Sequence, residues 1–135
     1  MPTATEIINQ MLEKDAFSKQ LNMRRLEEQP GFCKVQLTVT ENLCNGFGVA
    51  HGGIAYSLAD SAVAFSVNSL GEIAVSVESS VTHLLPIQVG DSLICIPSRE
   101  RVSNRIAVYT AEIFNQKDEK VALFRGVYYR TGKSW

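Results

Sequence analysis

Asn45-Gly46-Phe47-Gly48-Val49-Ala50-His51-Gly52-Gly53-Ile54-Ala55-Tyr56-Ser57-Leu58-Ala59-Asp60-Ser61 sets a glycine-rich turn, a histidine and a carboxylate around the start of a long apolar helix. The glycines permit a tight turn that puts nothing bulky over the first helical N–H groups. Those groups carry the positive end of the helix dipole and have no acceptor inside the helix. A carbonyl oxygen developing negative charge is the kind of group such donors stabilise. Asp60 then falls within an apolar run, where a carboxylate is costly to bury without a purpose.

On a helical wheel Ile54, Phe65, Leu58, Ala62, Ala55 and Ala59 fill one broad face, while Ser57, Asn68 and Ser61 form a narrow polar wedge. Asp60 lies outside that wedge, beside Tyr56, Val67 and Ala64, and points the same way as Gly53. The two are about two turns apart, or roughly 10 Å along the axis. Proton abstraction needs a reach of about 3 Å or one intervening water. Asp60 therefore cannot act as base on a carbonyl held by the Gly52 or Gly53 N–H of its own chain. The pattern predicts a composite site, the glycine turn of one copy facing Asp60 of another, and hence an obligate dimer.

With 135 residues, 45% apolar and 20% charged, the chain suits one globular domain spanning 1–135. A net charge of −1 and a pI near 6.1 provide no basic footprint for nucleic acid. The apolar run from Ile54 to Val67 is too short and too interrupted by Ser57, Asp60, Ser61 and Ser66 to span a bilayer. Glu6, Glu13, Lys14 and Asp15 near the start leave no apolar core for a signal peptide, so a cytoplasmic protein is expected. Cys33, Cys44 and Cys95 form no CxxC pair, and His51 and His83 stand far apart in sequence. Neither a disulfide framework nor a metal site is expected, and all three cysteines read as buried.

Outward from the central helix, Thr3 or Thr5 can cap a first helix running to about Lys19, with Ile7, Ile8, Met11, Leu12 and Phe17 as its apolar stripe. An extended segment near Met23 to Glu28, the turn Pro30-Gly31 and the alternation of Val35, Leu37 and Val39 read as a hairpin. The central helix is expected from Gly52 to Leu70, ended by Gly71 in a left-handed cap. Beyond it, Ile73 to His83, Ser92 to Val102, Arg105 to Asn115 and Lys120 to Arg130 read as strands. The fold class is α+β: an antiparallel sheet whose apolar face the central helix covers, curling around it or sharing it with a second copy.

Asn45, Gly48, His51-Gly52-Gly53 and Leu58-Ala59-Asp60, with Ala74-Val75-Ser76-Val77, Leu84-Leu85-Pro86 and Val121-Ala122-Leu123-Phe124-Arg125-Gly126, resemble the phenylacetate-degradation type of hotdog-fold acyl-CoA thioesterases. The resemblance covers nearly the whole chain. It implies a hotdog fold, an acyl-CoA substrate hydrolysed by water without metal or redox cofactor, and dimers that join their sheets and pair into a homotetramer. Carried over by position, it implies Asp60 as general base or nucleophile and the Gly52 or Gly53 N–H as the carbonyl donor. His51 and Asn45 would orient the turn or substrate, and Ser76 would hold the attacking water near Asp60. Lys14 stands where a branch of that family has an asparagine near the acyl pocket, and Asp15 follows it. Phe47 either touches the acyl chain or packs.

Arg99, Arg101, Arg105, Arg125 and Arg130 are surface charges of the late strands, among which Arg105 is the first candidate for a coenzyme A phosphate. Tyr109, Tyr128 and Tyr129 read as sheet residues, and His83 as a half-buried strand residue without a role. No GxSxG accompanies the His-Gly-Gly turn, and the Gly46-Phe47-Gly48 stretch lacks the third glycine of a dinucleotide fingerprint. Two rival functions remain. A hotdog enoyl-CoA hydratase would require an aspartate and a histidine at one substrate, and a non-catalytic acyl-CoA binder would hold ligand without turnover.

Overall fold

A computed structural model describes residues 1–135. Thr3 opens α1 (Ala4–Lys14) through a reciprocal capping box, its hydroxyl accepting from the Glu6 N–H at 3.2 Å while the Glu6 carboxylate accepts from the Thr3 N–H at 2.8 Å. Ile7 and Ile8 bury the inner face. The single helix expected to Lys19 is two: Asp15 ends α1 and caps α2 (Ala16–Gln20). Its carboxylate accepts from both the Ser18 N–H (2.9 Å) and the Ser18 hydroxyl (2.6 Å), so local capping overrides the continuous apolar stripe. Phe17, counted in that stripe, is 55% exposed.

The strands are β1 (Arg24–Gln29), β2 (Phe32–Thr38), β3 (Glu72–His83), β4 (Ser92–Val102), β5 (Ile106–Phe114) and β6 (Lys120–Ser134). They form one antiparallel six-stranded sheet in the order β1-β2-β4-β5-β6-β3. The turn at Gly31, with φ +82°, closes the first hairpin. The central helix α3 (Gly52–Asn68) follows β2 and packs against β2 through β6, the arrangement of the hotdog fold. Ile54, Leu58, Ala62 and Phe65 of α3 share one core with Val35 and Leu37 of β2, Leu93 and Cys95 of β4, and Ile113 of β5. Full burial of such side chains contributes about 1.5–3 kcal/mol each.

Polar groups fasten the far end of α3. The Ser66 hydroxyl accepts from the Cys33 N–H and the Ser69 hydroxyl from the Gly31 N–H, each at 2.9 Å. Asn68, read from sequence as part of a polar wedge, is buried: it bonds both polar backbone atoms of Ala74, and Trp135 Nε1 donates to its Oδ1 at 3.0 Å. Gly71 leaves the helix with φ +105°. The last strand runs past Arg130 to Ser134, because Glu72 accepts from the Gly132 N–H at 2.7 Å and pairs with Arg130 at 3.4 Å.

The sheet has two different edges. β1 spans six residues, carries Arg24, Arg25, Glu27 and Glu28, and is bulged between Arg25 and Glu27. β3 spans twelve, pairs only with β6, and exposes Val75 and Val77. Shortness and a denser run of charges blunt the first edge, whereas the second, itself bulged at Glu72/Ala74 and Ser76/Glu78, is longer and leaves its outer side unpaired.

Candidate active site

The loop before α3 is a closed turn. Asn45 N–H donates to Val49 O (2.8 Å), Gly48 N–H to Asn45 O (3.1 Å), and the Asn45 side chain accepts from Phe47 N–H (2.9 Å). Gly48, with φ +80°, supplies the left-handed residue. Asn45 thus shapes the loop, and Phe47 at its tip is 93% exposed and packs on nothing. Ala50 N–H reaches Ile87 O and His51 N–H reaches Leu43 O, both at 2.8 Å, which fixes where α3 begins.

His51 is the N-cap. Its Nδ1 accepts from the Gly53 N–H at 2.9 Å, and its carbonyl accepts from Ile54 N–H at 2.9 Å. An accepting Nδ1 assigns the ring proton to Nε2. Of the two candidate carbonyl donors, the Gly53 N–H is therefore occupied and the exposed Gly52 N–H has no protein acceptor. His83, expected to be half-buried, is exposed at the end of β3, and its Nε2 lies 3.3 Å from where a Cβ on Gly52 would stand.

Two clefts of about 370 Å³ each meet at this turn. One lies between the turn and the segment after β3, lined by Asn45, Val49, Gly52, His83, Leu84 and Pro86 among others. The other runs under α2, lined by Phe17, Leu21, Leu43, Cys44, Gly53 and Ile54 among others. His51 borders both. Cys44, expected in the core, lies half-exposed on the second cleft, while Cys33 and Cys95 are buried and burial pushes the Cys33 thiol up to about 12. Phe17 and His83 are the cleft residues that periodicity misplaces: Phe17 is turned outward by the start of α2 at Ala16, and His83 stands exposed at the end of β3.

Asp60 stands half-buried further along α3, and burial raises its carboxyl above the ordinary aspartate range. Tyr128 of β6 opposes that rise by donating toward Oδ1 at 3.4 Å, and the Asp15 carboxylate adds to it. Ser76 faces Tyr128 across the β3–β6 register and is exposed, so it lies on the strand beside the Asp60 region. Ser76 makes no hydrogen bond to Asp60. Arg105 is away from the turn, at the start of β5. It donates to the Tyr129 hydroxyl at 3.3 Å and lines a polar recess of about 350 Å³ with Asn104, Arg130 and Glu72. The structure thus gathers His51, Gly52, Gly53 and Asn45 at one place and leaves Asp60, Ser76 and Arg105 apart from it.

A helix-capping glycine turn with a free backbone donor, on a hotdog sheet, is the arrangement on which the class of thioester hydrolases is matched. Residues 47–122 match the Thioesterase superfamily, and the chain belongs to that family, in its PaaI branch. It is 38% identical to the acyl-coenzyme A thioesterase PaaI of Escherichia coli K12 over 90% of this chain and 87% of that one. The solved structure of E. coli PaaI, from the phenylacetic acid degradation operon, superposes with a TM-score of 0.94 at 37% identity, covering 97% of this chain and 95% of that chain. A hypothetical thioesterase from Streptococcus pneumoniae TIGR4, solved with coenzyme A, gives 0.87 at 25% identity over 93% of this chain and 98% of that chain. No helix of the structure is long and apolar enough to cross a membrane.

Proposed function

We propose that the chain hydrolyses acyl-CoA thioesters, with aryl or hydroxyaryl acyl groups preferred, in a site shared between two copies. The observation that carries the reading is the meeting of two clefts at a turn whose Gly52 N–H has no acceptor. A thioester laid across the turn would place its acyl part in one cleft and the pantetheine arm in the other, with the carbonyl oxygen on the Gly52 donor. Gly53 becomes a second donor only when the His51 ring moves off it. Phe17, Leu21 and Leu43 offer an apolar slot that suits a flat acyl group.

Asp60 of the second copy activates water. Its raised pKa makes it a better proton acceptor than an exposed aspartate, and Ser76 beside it would hold the attacking water. The open edge of β3 supports the pairing. Antiparallel addition of the same strand about a two-fold axis sets the two central helices side by side in opposite directions, bringing turn and carboxylate together. Pairing of dimers into a homotetramer belongs to the same reading, as do a cytoplasmic location, an Arg105 contact to a coenzyme A phosphate, and turnover without resident metal or redox cofactor.

The test is release of free thiol from phenylacetyl-, hydroxyphenylacetyl-, benzoyl- and aliphatic acyl-CoA by wild type and Asp60→Asn. Turnover that the substitution abolishes, fastest with an aryl group, is the expected result. Binding without thiol release from any of them would overturn the hydrolase in favour of the acyl-CoA binder, and loss of enoyl absorbance without thiol would indicate the hydratase.

A further inference from the structure

We propose that Tyr128 is a positioning residue for Asp60, its hydroxyl holding one carboxylate oxygen against the sheet so that the other faces the water to be activated. The inference rests on Asp60 being the base of the proposed hydrolysis. Tyr128 is 1% exposed, and its hydroxyl has two acceptors, the Asp60 backbone oxygen and Asp60 Oδ1, both at 3.4 Å. The one hydroxyl proton is shared between these two long contacts, and Oδ2 is the carboxylate oxygen with no protein donor.

The sheet is built to let Tyr128 reach this place. Phe124, Gly126 and Tyr128 alternate along β6 and all are buried. A Cβ on Gly126 would lie 2.9 Å from Tyr128 Cε1 and 3.0 Å from Phe124 Cε1, so both rings occupy the room that the glycine leaves. Across the register Tyr128 faces Ser76 on β3 and Ala107 on β5. A small residue on each side leaves the phenol lying under α3.

The chemistry has a definite sign. A donor to the ionised carboxylate favours that form, while burial and a second carboxylate disfavour it. Around Asp60, Tyr128 donates from β6. Asp15, at the junction of α1 and α2, opposes it. The Asp15 carboxylate accepts from the Ser18 hydroxyl, whose oxygen lies 3.0 Å from that of Ser61, the residue after Asp60. Tyr56 on α3 directs its hydroxyl to Ser79 at 2.5 Å. Cys33 on β2 and Cys95 on β4 are thiols kept neutral by burial. Tyr109 on β5 gives its hydroxyl to Gly31 O, and Glu78 on β3 pairs with Arg125. Tyr128 is thus the one side chain in the structure that donates to this carboxylate.

The test is Tyr128→Phe, which keeps the ring and removes the donor. The Asp60 carboxyl is followed by 13C NMR, with Asp60→Asn to assign its resonance, and the pH profile of kcat is measured on phenylacetyl-CoA. In Tyr128→Phe the titration midpoint moves to higher pH, by up to about one pH unit for a hydrogen bond to a charged group. The acid limb of kcat moves with it, and KM stays unchanged. An unchanged NMR midpoint in folded Tyr128→Phe overturns the inference. If that variant does not fold, Gly126→Ala, which keeps the hydroxyl and crowds the ring, must move the midpoint the same way or the inference falls. Asp60→Asn that still turns over would instead remove the base reading and leave the hydrogen bond standing, so the two failures are distinguishable.

Discussion

The start and the middle of α3, which carry the two halves of the proposed site, are made in different ways. At Gly52 the proposed carbonyl donor is a backbone N–H, exposed and set by residues close to it in sequence: His51 as cap, and Asn45 and Gly48 in the closed turn before it. At Asp60 the proposed base is a side chain, half-buried, whose state is set first by that burial and then by Tyr128 and Asp15, both distant in sequence. One half is a local device and the other a product of tertiary packing. They stand about 12 Å apart along one helix, too far to serve one carbonyl within a copy.

The difference is broken most severely at the acid half. Asp60→Asn keeps shape and removes the base, with an expected loss of about 10²- to 10⁴-fold in kcat by thiol release and an unchanged circular dichroism spectrum. The donor half is removed by Gly52→Pro. Gly52 is the first helical residue, where proline is tolerated, and His51 already has φ −57° and ψ 141°, as a residue before proline requires. Loss of one such donor costs about 10²- to 10³-fold in kcat with the helix intact. Co-refolding the two inactive variants sharpens the comparison. Turnover that neither shows alone is expected from mixed pairs, and its absence would place both halves in one copy.

A smaller effect is expected when the edge proposed to join the halves is altered. Val77→Lys on β3 shifts light scattering toward single copies and lowers turnover with it, whereas Leu26→Lys on the blunted β1 edge changes neither. The smallest effect concerns stability. Asp60 has a raised carboxyl in the folded chain, so the folded state holds its proton more tightly than the unfolded state does. Its contribution to stability falls as pH rises from the unfolded value, about 3.9, through the folded one. Asp60→Asn removes that penalty. It should raise Tm at neutral pH, and the gain should shrink as the pH is lowered.

What was legible in sequence follows the same division. The turn, the helix start and every strand are legible in local signals, as is the remoteness of Asp60 from Gly53; the helix ends at Asn68 with Ser69 as cap, two residues before the expected Leu70, and Gly71 turns the chain after it. The break at Asp15 is not legible in the periodic apolar stripe, because one capping carboxylate leaves that period unchanged. The extension of β6 past Arg130 depends on Glu72, far back in the chain. Tyr128 looked like any strand tyrosine. Its contact with Asp60 joins residues 68 apart, and no local pattern announces it. His83 was misjudged because alternation on a strand says nothing about where the covering helix stops.

The open edge of β3 also sets a clock. Closing the sheet onto its helix is a first-order event, complete within one copy, but finding a second strand of twelve residues is a collision. After dilution from denaturant, the far-ultraviolet signal should return at a rate independent of protein concentration, while turnover returns with a lag that shortens as concentration rises. Under the proposed pairing, catalysis in this chain is acquired after folding, as a second-order property of the population.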